Sequence, residues 1–571
     1  MKRVKTKTFN GRRYLLLFGV VAVFVLLFTR AVQLQILHAD FYNEQGSNRH
    51  VRMVEIPANR GVITDRHGEA LAISTPVYSV WAHPATALEN PHSIANSAKV
   101  LGLNQKKVKQ KLEQRRNKQF VYLKRHVFPG VADKLKQHDT PGISTIREYR
   151  RYYPTGEMAA HVIGLTNIDD QGLEGVELAF DDWLHGSPGK KRVLKNAHGE
   201  IIGDINLERE PHHGKDLNLS IDKRIQYLAY RELKRTITSH SAKAGSVIVL
   251  SVNTGEVLAM ANLPAFNPND RSSAKVSSIR NRAITDVFEP GSTVKPFLIA
   301  AAIENGVYKV NSTINTTPGY FNIAGLLVSD HSNYGVIDLK TLLSKSSNVG
   351  AVRVALNMSQ EQVWSQYQSV GFGQLTGSGF PGERAGKLAS YTNWNKTQRA
   401  TIAYGYGMST TAMQLARAYS VIANDGVLLP TSFIVNNQAV SGQRVMSGRT
   451  AKAVRNMLKG VLAKSGTGSR ASMKGYTAAG KTGTSRKAQQ GGYSKDNYIA
   501  LFAGMAPADN PEIVVVVVID QPLKQEGYYG GEVAAPLFSR VTEGSLRLLN
   551  VAPSVINENK RGLLLTEIGK Q

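Results

Sequence analysis

Three short motifs in a fixed order constrain the fold of this chain more than any other feature. Ser292 is followed three residues later by Lys295, the second motif is Ser346-Ser347-Asn348, and the third is Lys481-Thr482-Gly483-Thr484. Each motif is short enough to recur by chance. Together they require a fold that brings three distant segments to one site.

The setting of Ser292 separates it from similar serines. The same S-x-x-K pattern occurs at Ser187/Lys190, Ser220/Lys223 and Ser272/Lys275. Only Ser292 follows Pro-Gly and opens an apolar run, residues 297–303, which predicts a buried helix beginning at the serine. Positions three apart share a helix face, so Ser292 and Lys295 can touch. Pro296 falls in the first turn, where its missing N–H costs little, and we expect Ser292 to cap the helix.

The residue types fit acyl transfer through a serine. A serine hydroxyl needs a neighbouring base, and Lys295 can be that base if partial burial and a nearby positive charge lower its pKa. Lys481, expected on an edge strand, would supply this charge and could also bind a substrate carboxylate. S-x-x-K, S-x-N and K-T-G form the motif set of penicillin-recognising serine enzymes.

The other motif residues receive supporting roles. Ser346 and Asn348 would relay the proton and hold a substrate amide, and Thr482, Gly483 and Thr484 would bind substrate. The backbone N–H groups of Ser292 and Thr484 would form the oxyanion hole. The alternative is that all three motifs are polar surface turns.

The N-terminus predicts a membrane anchor. Six basic residues (Lys2, Arg3, Lys5, Lys7, Arg12 and Arg13) precede an uncharged run from Tyr14 to Thr29, and apolar character continues to Leu37. The basic flank predicts a cytoplasmic N-terminus, with everything after about residue 37 outside. A cleaved signal peptide is the competing interpretation, but no small-x-small cleavage site follows the apolar run.

The composition of the chain limits the classes of ligand that it is expected to bind. A net charge of +27 is typical of proteins that bind nucleic acid. Most of this chain, however, is expected outside the membrane, and it carries no nucleic-acid-binding motif. The chain has no Cys, and its 14 His are scattered, so we expect no metal and no cofactor. A basic stretch, Lys106 to Arg125, is either a solvated helix face or a surface attracted to anionic lipid or cell-wall polymer.

The hydrophobic pattern predicts an α+β fold. Residues 246–252 and 257–261 indicate a β-hairpin, residues 513–519 a strand buried on both faces, and residues 500–505 its partner. Helices between them would cover one sheet. The expected domains are a cytoplasmic tail (1–13), an anchor (14–37), an N-terminal region (49–216), a catalytic domain (217–550) and a C-terminal tail (551–571).

Longer segments give the chain a family resemblance. The N-terminal region carries Arg60-Gly61-Val62-Ile63-Thr64-Asp65-Arg66-His67-Gly68, Arg150-Arg151-Tyr152-Tyr153-Pro154 and Gly172-Leu173-Glu174-Gly175-Val176-Glu177. The later region adds Arg282-Ala283-Ile284-Thr285-Asp286, Tyr404-Gly405-Tyr406-Gly407 and Tyr528-Tyr529-Gly530-Gly531. With the three motifs, these segments resemble a class B penicillin-binding protein, most closely its division-specific members.

The resemblance implies a fold and a function. It implies a serine transpeptidase domain on an elongated pedestal (dimerisation) domain, anchored by one helix in the cell inner membrane with the catalytic domain periplasmic. It also implies a peptidoglycan D,D-transpeptidase that cross-links septal stem peptides ending in D-Ala-D-Ala and is acylated by β-lactam antibiotics. The implied partners are a SEDS glycosyltransferase (FtsW-like) and other divisome proteins.

Several alternatives share the motifs. An elongation-type class B protein and a D,D-carboxypeptidase differ little in sequence. A β-lactamase needs a water-holding glutamate, and the only acids between Asn348 and Lys481 are Glu361, Glu383 and Asp425. A β-lactam sensor normally needs a cytoplasmic output domain, for which about 13 residues are too few, whereas a scaffold role beside catalysis stays open.

Overall fold

The structure is a computed structural model that describes residues 10–42, 51–138, 140–195, 201–272, 274–436, 438–489 and 491–554. Two of the predicted segments lie partly outside the described residues. Residues 1–9 of the predicted cytoplasmic tail, with four of its six basic residues, lie outside the described residues. So do residues 555–571 of the predicted C-terminal tail.

The strands run through most of the chain. In chain order they are β1 Val51–Ile56, β2 Ile63–Thr64, β3 Ala70–Ala82, β4 Val121–Val127, β5 Ile143–Tyr152, β6 Leu165–Thr166, β7 Gly172–Glu174, β8 Gly189–Lys195, β9 Ile201–Arg209, β10 Leu217–Asn218, β11 Ala244–Ser251, β12 Val257–Leu263, β13 Thr313–Asn315, β14 Tyr320–Ile323, β15 Leu326–Ser329, β16 Val336–Asp338, β17 Val427–Leu428, β18 Gln443–Arg444, β19 Ala479–Gln489, β20 Gly492–Ala506 and β21 Ile513–Asp520.

The helices are likewise distributed along the chain. They are α1 Asn10–Val32, α2 Pro84–Glu89, α3 Pro91–Leu101, α4 Gln105–Glu113, α5 Pro129–Lys136, α6 Ala160–Ile163, α7 Gly175–Ala179, α8 Asp181–Leu184, α9 Lys223–Ser239, α10 Val276–Ile279, α11 Arg282–Thr285, α12 Lys295–Glu304, α13 Leu339–Lys345, α14 Asn348–Leu356, α15 Gln360–Ser369, α16 Lys396–Ile402, α17 Ala412–Ala423, α18 Gly448–Leu462 and α19 Gly530–Leu548.

The first helix matches the predicted anchor. α1 continues into a π-helical turn, Gln33–Leu37, and the 28 residues Asn10–Leu37 form the one helix among the described residues that is long and apolar enough to cross a membrane. None of the residues of α1 is buried by the rest of the protein. An unburied apolar helix of this length is what a bilayer accommodates.

The chain forms two compact units, each built from separated segments. The first comprises residues 1–59, 75–150 and 186–214. It contains an antiparallel sheet in the order β1-β8-β9, and an apolar core that includes Ile94, Leu101 and Leu112 on its helices. The basic stretch lies partly on α4, whose Val108 and Leu112 are buried. The solvated helix face therefore covers only the start of the stretch, since Lys124 and Arg125 at its end lie on β4.

The second unit comprises residues 60–74, 151–185 and 215–571, and its centre is a five-stranded antiparallel sheet in the order β12-β11-β21-β20-β19. The hairpin, the buried strand and its partner are thus confirmed. Every residue of Ile513–Ile519 in β21 is buried, so both faces of the sheet are covered. Helices α9 and α19 pack against each other and the sheet, while α17 packs on its central strands. β19 lies at the edge.

Three of the N-terminal signature segments meet in a buried ion cluster of this second unit. Glu177 accepts from Arg60 Nε at 2.7 Å and from Arg151 Nε at 2.6 Å, and all three side chains are essentially inaccessible to solvent. Arg60 also contacts Asp181 at 2.7 Å. A buried carboxylate needs such pairing because its desolvation is costly. The cluster explains why these charged residues occur in otherwise ordinary segments.

Candidate active site

Ser292 lies in a 3-10 turn, Gly291–Val294, that leads directly into α12. The predicted buried helix is confirmed, with Pro296 in its first turn as expected, but it begins at Lys295 and not at the serine. The expected capping by Ser292 is wrong, because the residue before the turn is Pro290, the residue before α12 is Val294, and neither end has a side-chain cap. The half-buried Ser292 hydroxyl therefore has no capping duty.

The second motif occupies a break between two helices. Ser346 ends α13 with φ +60°, a left-handed conformation that is uncommon for a residue other than glycine. Ser347 then caps α14, accepting from Gly350 N at 2.9 Å, and Asn348 begins that helix. The sequence predicted a helical stretch here, but not this break. Left-handed backbone at a polar residue is typical of functional sites.

The two lysines meet at Ser346. Lys295 Nζ donates to the Ser346 carbonyl at 2.6 Å, to Asn348 Oδ1 at 2.7 Å and to Ser346 Oγ at 3.3 Å. Lys481 Nζ donates to the same Ser346 Oγ at 3.0 Å. Among the hydrogen bonds of the described residues, none joins Lys295 to Ser292. Such catalytic contacts often form only when substrate binds.

Both lysines have lowered pKa values. The pKa of Lys295 lies well below its ordinary value of 10.5, first because the side chain is fully buried and then because Lys481 is close, while Asp330 acts in the opposite direction. Burial lowers the pKa of Lys481 to about 7. The lowered pKa of Lys295 favours the neutral amine that a general base requires.

The third motif lies on the edge strand β19, as predicted. Thr482 and Thr484 line the open cleft, whereas Lys481 is fully buried. Gly483 has a packing role that its sequence did not reveal. A Cβ at this position would lie 2.8 Å from Thr293 Cγ2 and 3.1 Å from the Pro290 carbonyl oxygen. The missing side chain lets the strand approach the turn that holds Ser292.

Asp330 is a site residue that sequence reasoning missed. Its Oδ1 accepts from the backbone N–H of Asn348 at 2.5 Å and of Val349 at 3.1 Å, and its Oδ2 accepts from the Ser347 hydroxyl at 2.5 Å. A carboxylate at a helix N-terminus satisfies free N–H groups and suits the helix dipole. No local pattern marks Asp330, because its partners lie on a different segment.

The cleft has a volume of about 600 Å³ and is lined by Ser292, Ser346 and Asn348. One side carries tyrosines. The ring centroids of Tyr528 and Tyr529 are 4.2 Å apart, and those of Tyr498 and Tyr528 are 4.4 Å apart. Several cations also line it, namely Lys345, Arg470 and Arg486. The arrangement suits an anionic ligand with an apolar body.

Two sequence families match the chain. Residues 245–543 match the family described as the penicillin binding protein transpeptidase domain, and residues 55–219 match the penicillin-binding protein dimerisation domain. The first match contains all eight residues predicted for the site, and the second contains the N-terminal signature segments.

Individual proteins are similar over nearly the whole chain. The probable peptidoglycan D,D-transpeptidase PenA of Neisseria meningitidis is 40% identical over 554 residues, which cover 96% of this chain and 95% of that protein. The peptidoglycan D,D-transpeptidase FtsI of Escherichia coli K12 is 39% identical over 569 residues, covering 98% and 96%. A structure of penicillin-binding protein 3 from Mycobacterium tuberculosis with aztreonam has a TM-score of 0.69 at 28% identity, covering 88% of this chain and 98% of that one.

Proposed function

The chain belongs to the class B penicillin-binding proteins, and from this premise we propose that it is a serine-type peptidoglycan D,D-transpeptidase acting in septal cell-wall synthesis. Its similarity to the peptidoglycan D,D-transpeptidase FtsI extends over nearly the whole chain and supports the septal role. The observation that carries the proposal is the meeting of both buried lysines at Ser346, at 3.0 and 3.3 Å from its hydroxyl, in the cleft that Ser292 lines. Polar surface turns would not bury two lysines together.

In the proposed acylation, Ser292 Oγ attacks the carbonyl carbon between the two D-Ala residues of a donor stem peptide. Lys295 accepts the hydroxyl proton, since its lowered pKa favours the neutral amine that can act as a base. The backbone N–H groups of Ser292 and Thr484 stabilise the tetrahedral oxyanion. The C–N bond then breaks, and the leaving amine of the terminal D-Ala takes a proton relayed through Ser346.

Transfer completes the cycle. The amine of a second stem peptide attacks the acyl-serine ester, an amide cross-link forms, and Ser292 recovers its proton. Asn348, whose side chain accepts from Lys295 and whose backbone N–H donates to Asp330, would hold the substrate amide. Lys481, with Thr482 and Thr484 on the same strand, binds the terminal carboxylate. β-Lactams acylate the same serine because they carry a comparable carbonyl and carboxylate.

The rival hydrolytic functions have less support. Of the three acids in the interval where a β-lactamase would need its glutamate, Glu383 contacts Thr376 and Ser378, Asp425 pairs with Arg455, and Glu361 lies in the first turn of α15. None of the three lines the cleft around Ser292. A D,D-carboxypeptidase differs only in using water as the acceptor, so the acceptor must be tested directly.

The domain limits, location and partners complete the proposal. We assign 1–13 to a cytoplasmic tail, 14–37 to an inner-membrane anchor, 49–216 to the pedestal, 217–550 to a periplasmic catalytic domain and 551–571 to a tail. The apolar helix Asn10–Leu37 and the two family matches support these assignments. The partners would be an FtsW-like SEDS glycosyltransferase and divisome proteins, in keeping with the similarity to FtsI.

A cross-linking assay tests the proposal. The full-length protein in detergent is incubated with a pentapeptide donor and an amine-bearing stem acceptor, and both products are measured by mass spectrometry. A transpeptidase yields the cross-linked dimer together with released D-Ala. Release of D-Ala with tetrapeptide alone would identify a carboxypeptidase, and no turnover in the presence of either acceptor would contradict the proposal. Ser272→Ala is the control, since this serine starts an unused S-x-x-K sequence.

A further inference from the structure

A second cavity lies in the same unit as the active-site cleft but shares no lining residue with it. Its volume is about 720 Å³, and its walls include Lys487 and Ile499. The neighbouring residues on the same strands, Arg486 and Tyr498, line the active-site cleft. Successive strand residues point to opposite faces of a sheet. The second cavity therefore opens on the other face of the sheet, and we call it the rear cavity.

The rear cavity is strongly basic. Its charged lining residues are Lys243, Arg280, Arg282, Arg384 and Lys487 on the positive side, and Asp286 and Asp520 on the negative side. Both carboxylates are already paired. Asp286 is 3.0 Å from Arg280 and 2.9 Å from Arg282, and Asp520 is 2.7 Å from Lys487. An entering anion would therefore meet an excess of positive charge with little repulsion from free carboxylates.

Three donors at the rear cavity have no acceptor. Within the part of the chain that the structure describes, the side chains of Lys243 and Arg384 form no hydrogen bond or ion pair. The Arg282 side chain is only 12% exposed, and its Nε is buried without a hydrogen-bond partner. Buried N–H groups in native proteins are nearly always satisfied. The Arg282 Nε itself lies below the cavity surface, whereas the exposed Lys243 and Arg384 side chains are free to bind a ligand oxygen.

The rest of the wall is apolar. Ala244, Phe288, Val518 and Ile499 line the rear cavity, and the aromatic ring of Phe288 is largely buried. Ligand pockets commonly combine such a surface with a few convergent polar groups. Arginine recognises carboxylate and phosphate oxygens through paired N–H donors.

We propose that the rear cavity is a binding site for an oxyanion ligand, one that presents at least two carboxylate or phosphate charges to Arg282, Arg384 and Lys243 and rests its apolar part on Phe288. Carboxylate and phosphate groups both present a pair of anionic oxygens to an arginine, so the structure assigns the charged group rather than the whole molecule. The site is independent of the proposed transpeptidase chemistry, because none of its residues belongs to the three motifs.

Calorimetric titration of the full-length protein in detergent tests the site. The probes are inorganic pyrophosphate and the tricarboxylate citrate, which separate the phosphate and carboxylate sources. We expect saturable binding of at least one probe with one site per chain. Arg384→Gln and Lys243→Gln should each weaken it about tenfold to a hundredfold, the loss of one charge-assisted hydrogen bond. Both residues are exposed, so folding should be retained.

Arg449→Gln on α18 is the matched control, because it removes the same charge from an exposed arginine that does not line the rear cavity. Its affinity for the probe should equal that of the unmodified protein. If Arg449→Gln and Arg384→Gln weakened binding of the probe equally, the binding would reflect general attraction of anions to a basic chain, and the proposed site would be wrong. Absence of saturable binding of either probe up to about 10 mM would also overturn it.

Discussion

Asp330 accepts a hydrogen bond from the backbone N–H of Asn348 at 2.5 Å, and this contact fastens the second motif to a turn that belongs to none of the three motifs. The same carboxylate holds the Ser347 hydroxyl. It also raises the pKa of Lys295 against the stronger lowering effects of burial and Lys481. Asp330 thus acts on the site both as a positioning residue and as a charge.

Asp330→Asn should slow acylation and shift its pH dependence. The lost charge no longer favours protonated Lys295, so the pKa of Lys295 falls further and the acidic limb of the rate profile moves to lower pH. The plateau rate of acylation should drop about tenfold because the hydrogen bond from the Asn348 backbone N–H to residue 330 weakens. Second-order rates with a fluorescent penicillin, measured across the pH range, check both effects. Asp509→Asn, at an exposed aspartate, is the control, and an unshifted profile in Asp330→Asn would contradict the role.

Glu177→Gln should destabilise the protein strongly without altering the active site. It leaves Arg151 buried without its carboxylate partner and leaves Arg60 with Asp181 alone, and breaking a buried ion pair typically costs about 3–5 kcal/mol. Thermal unfolding of the full-length protein measures the effect. The exposed neighbour Glu174→Gln should change stability by less than about 0.5 kcal/mol. Equal melting temperatures for the two variants would show that the cluster contributes little.

Lys295→Arg should be nearly as damaging to acylation as Lys295→Ala. Arginine stays protonated at all working pH values, so it keeps the positive charge but cannot accept the proton of Ser292. Fluorescent-penicillin labelling rates near neutral pH are the measurement, and Lys452→Arg on the exposed face of α18 is the control. Substantial acylation by Lys295→Arg would show that Lys295 is only an electrostatic partner.

Lys481→Ala should discriminate between substrates. With its pKa near 7, Lys481 is charged below neutral pH and progressively neutral above it. Below pH 7 the acylation rate of the variant should be about tenfold to a hundredfold lower than that of the unmodified protein for substrates that bear the terminal carboxylate. For analogues that lack the carboxylate, the loss of rate should be much smaller. This difference should shrink as the pH rises above about 7. Equal losses for both substrates would assign Lys481 to lowering the pKa of Lys295 instead.

The chemistry could be predicted from the sequence because the residues expected to perform it lie in short motifs with recognisable neighbours. Pro-Gly before Ser292 and the apolar run after it indicate a helix start, and the β-branched run in β21 indicates a strand buried on both faces. These signals depend on residues adjacent in the chain. The order of the motifs then requires that the helix start and the edge strand meet.

What escaped prediction depends on contacts between distant segments. The residues next to Ser346 in the sequence do not indicate its left-handed backbone conformation. Asp330 contacts the start of α14 from a separate segment of the chain. Gly483 is explained only by the approach of β19 to Thr293. The expected capping by Ser292 failed because a 3-10 turn precedes α12, so the serine stands one turn before the regular helix.

Covalent labelling by fluorescent penicillin tests the central claim most directly. The full-length protein in detergent should label at a single serine, and Ser292→Ala should abolish labelling while its thermal unfolding is unchanged, because Ser292 caps no helix. Ser272→Ala, the exposed serine of an unused S-x-x-K sequence, should label normally. Covalent labelling of the Ser292→Ala protein would contradict the assignment of Ser292 as the nucleophile.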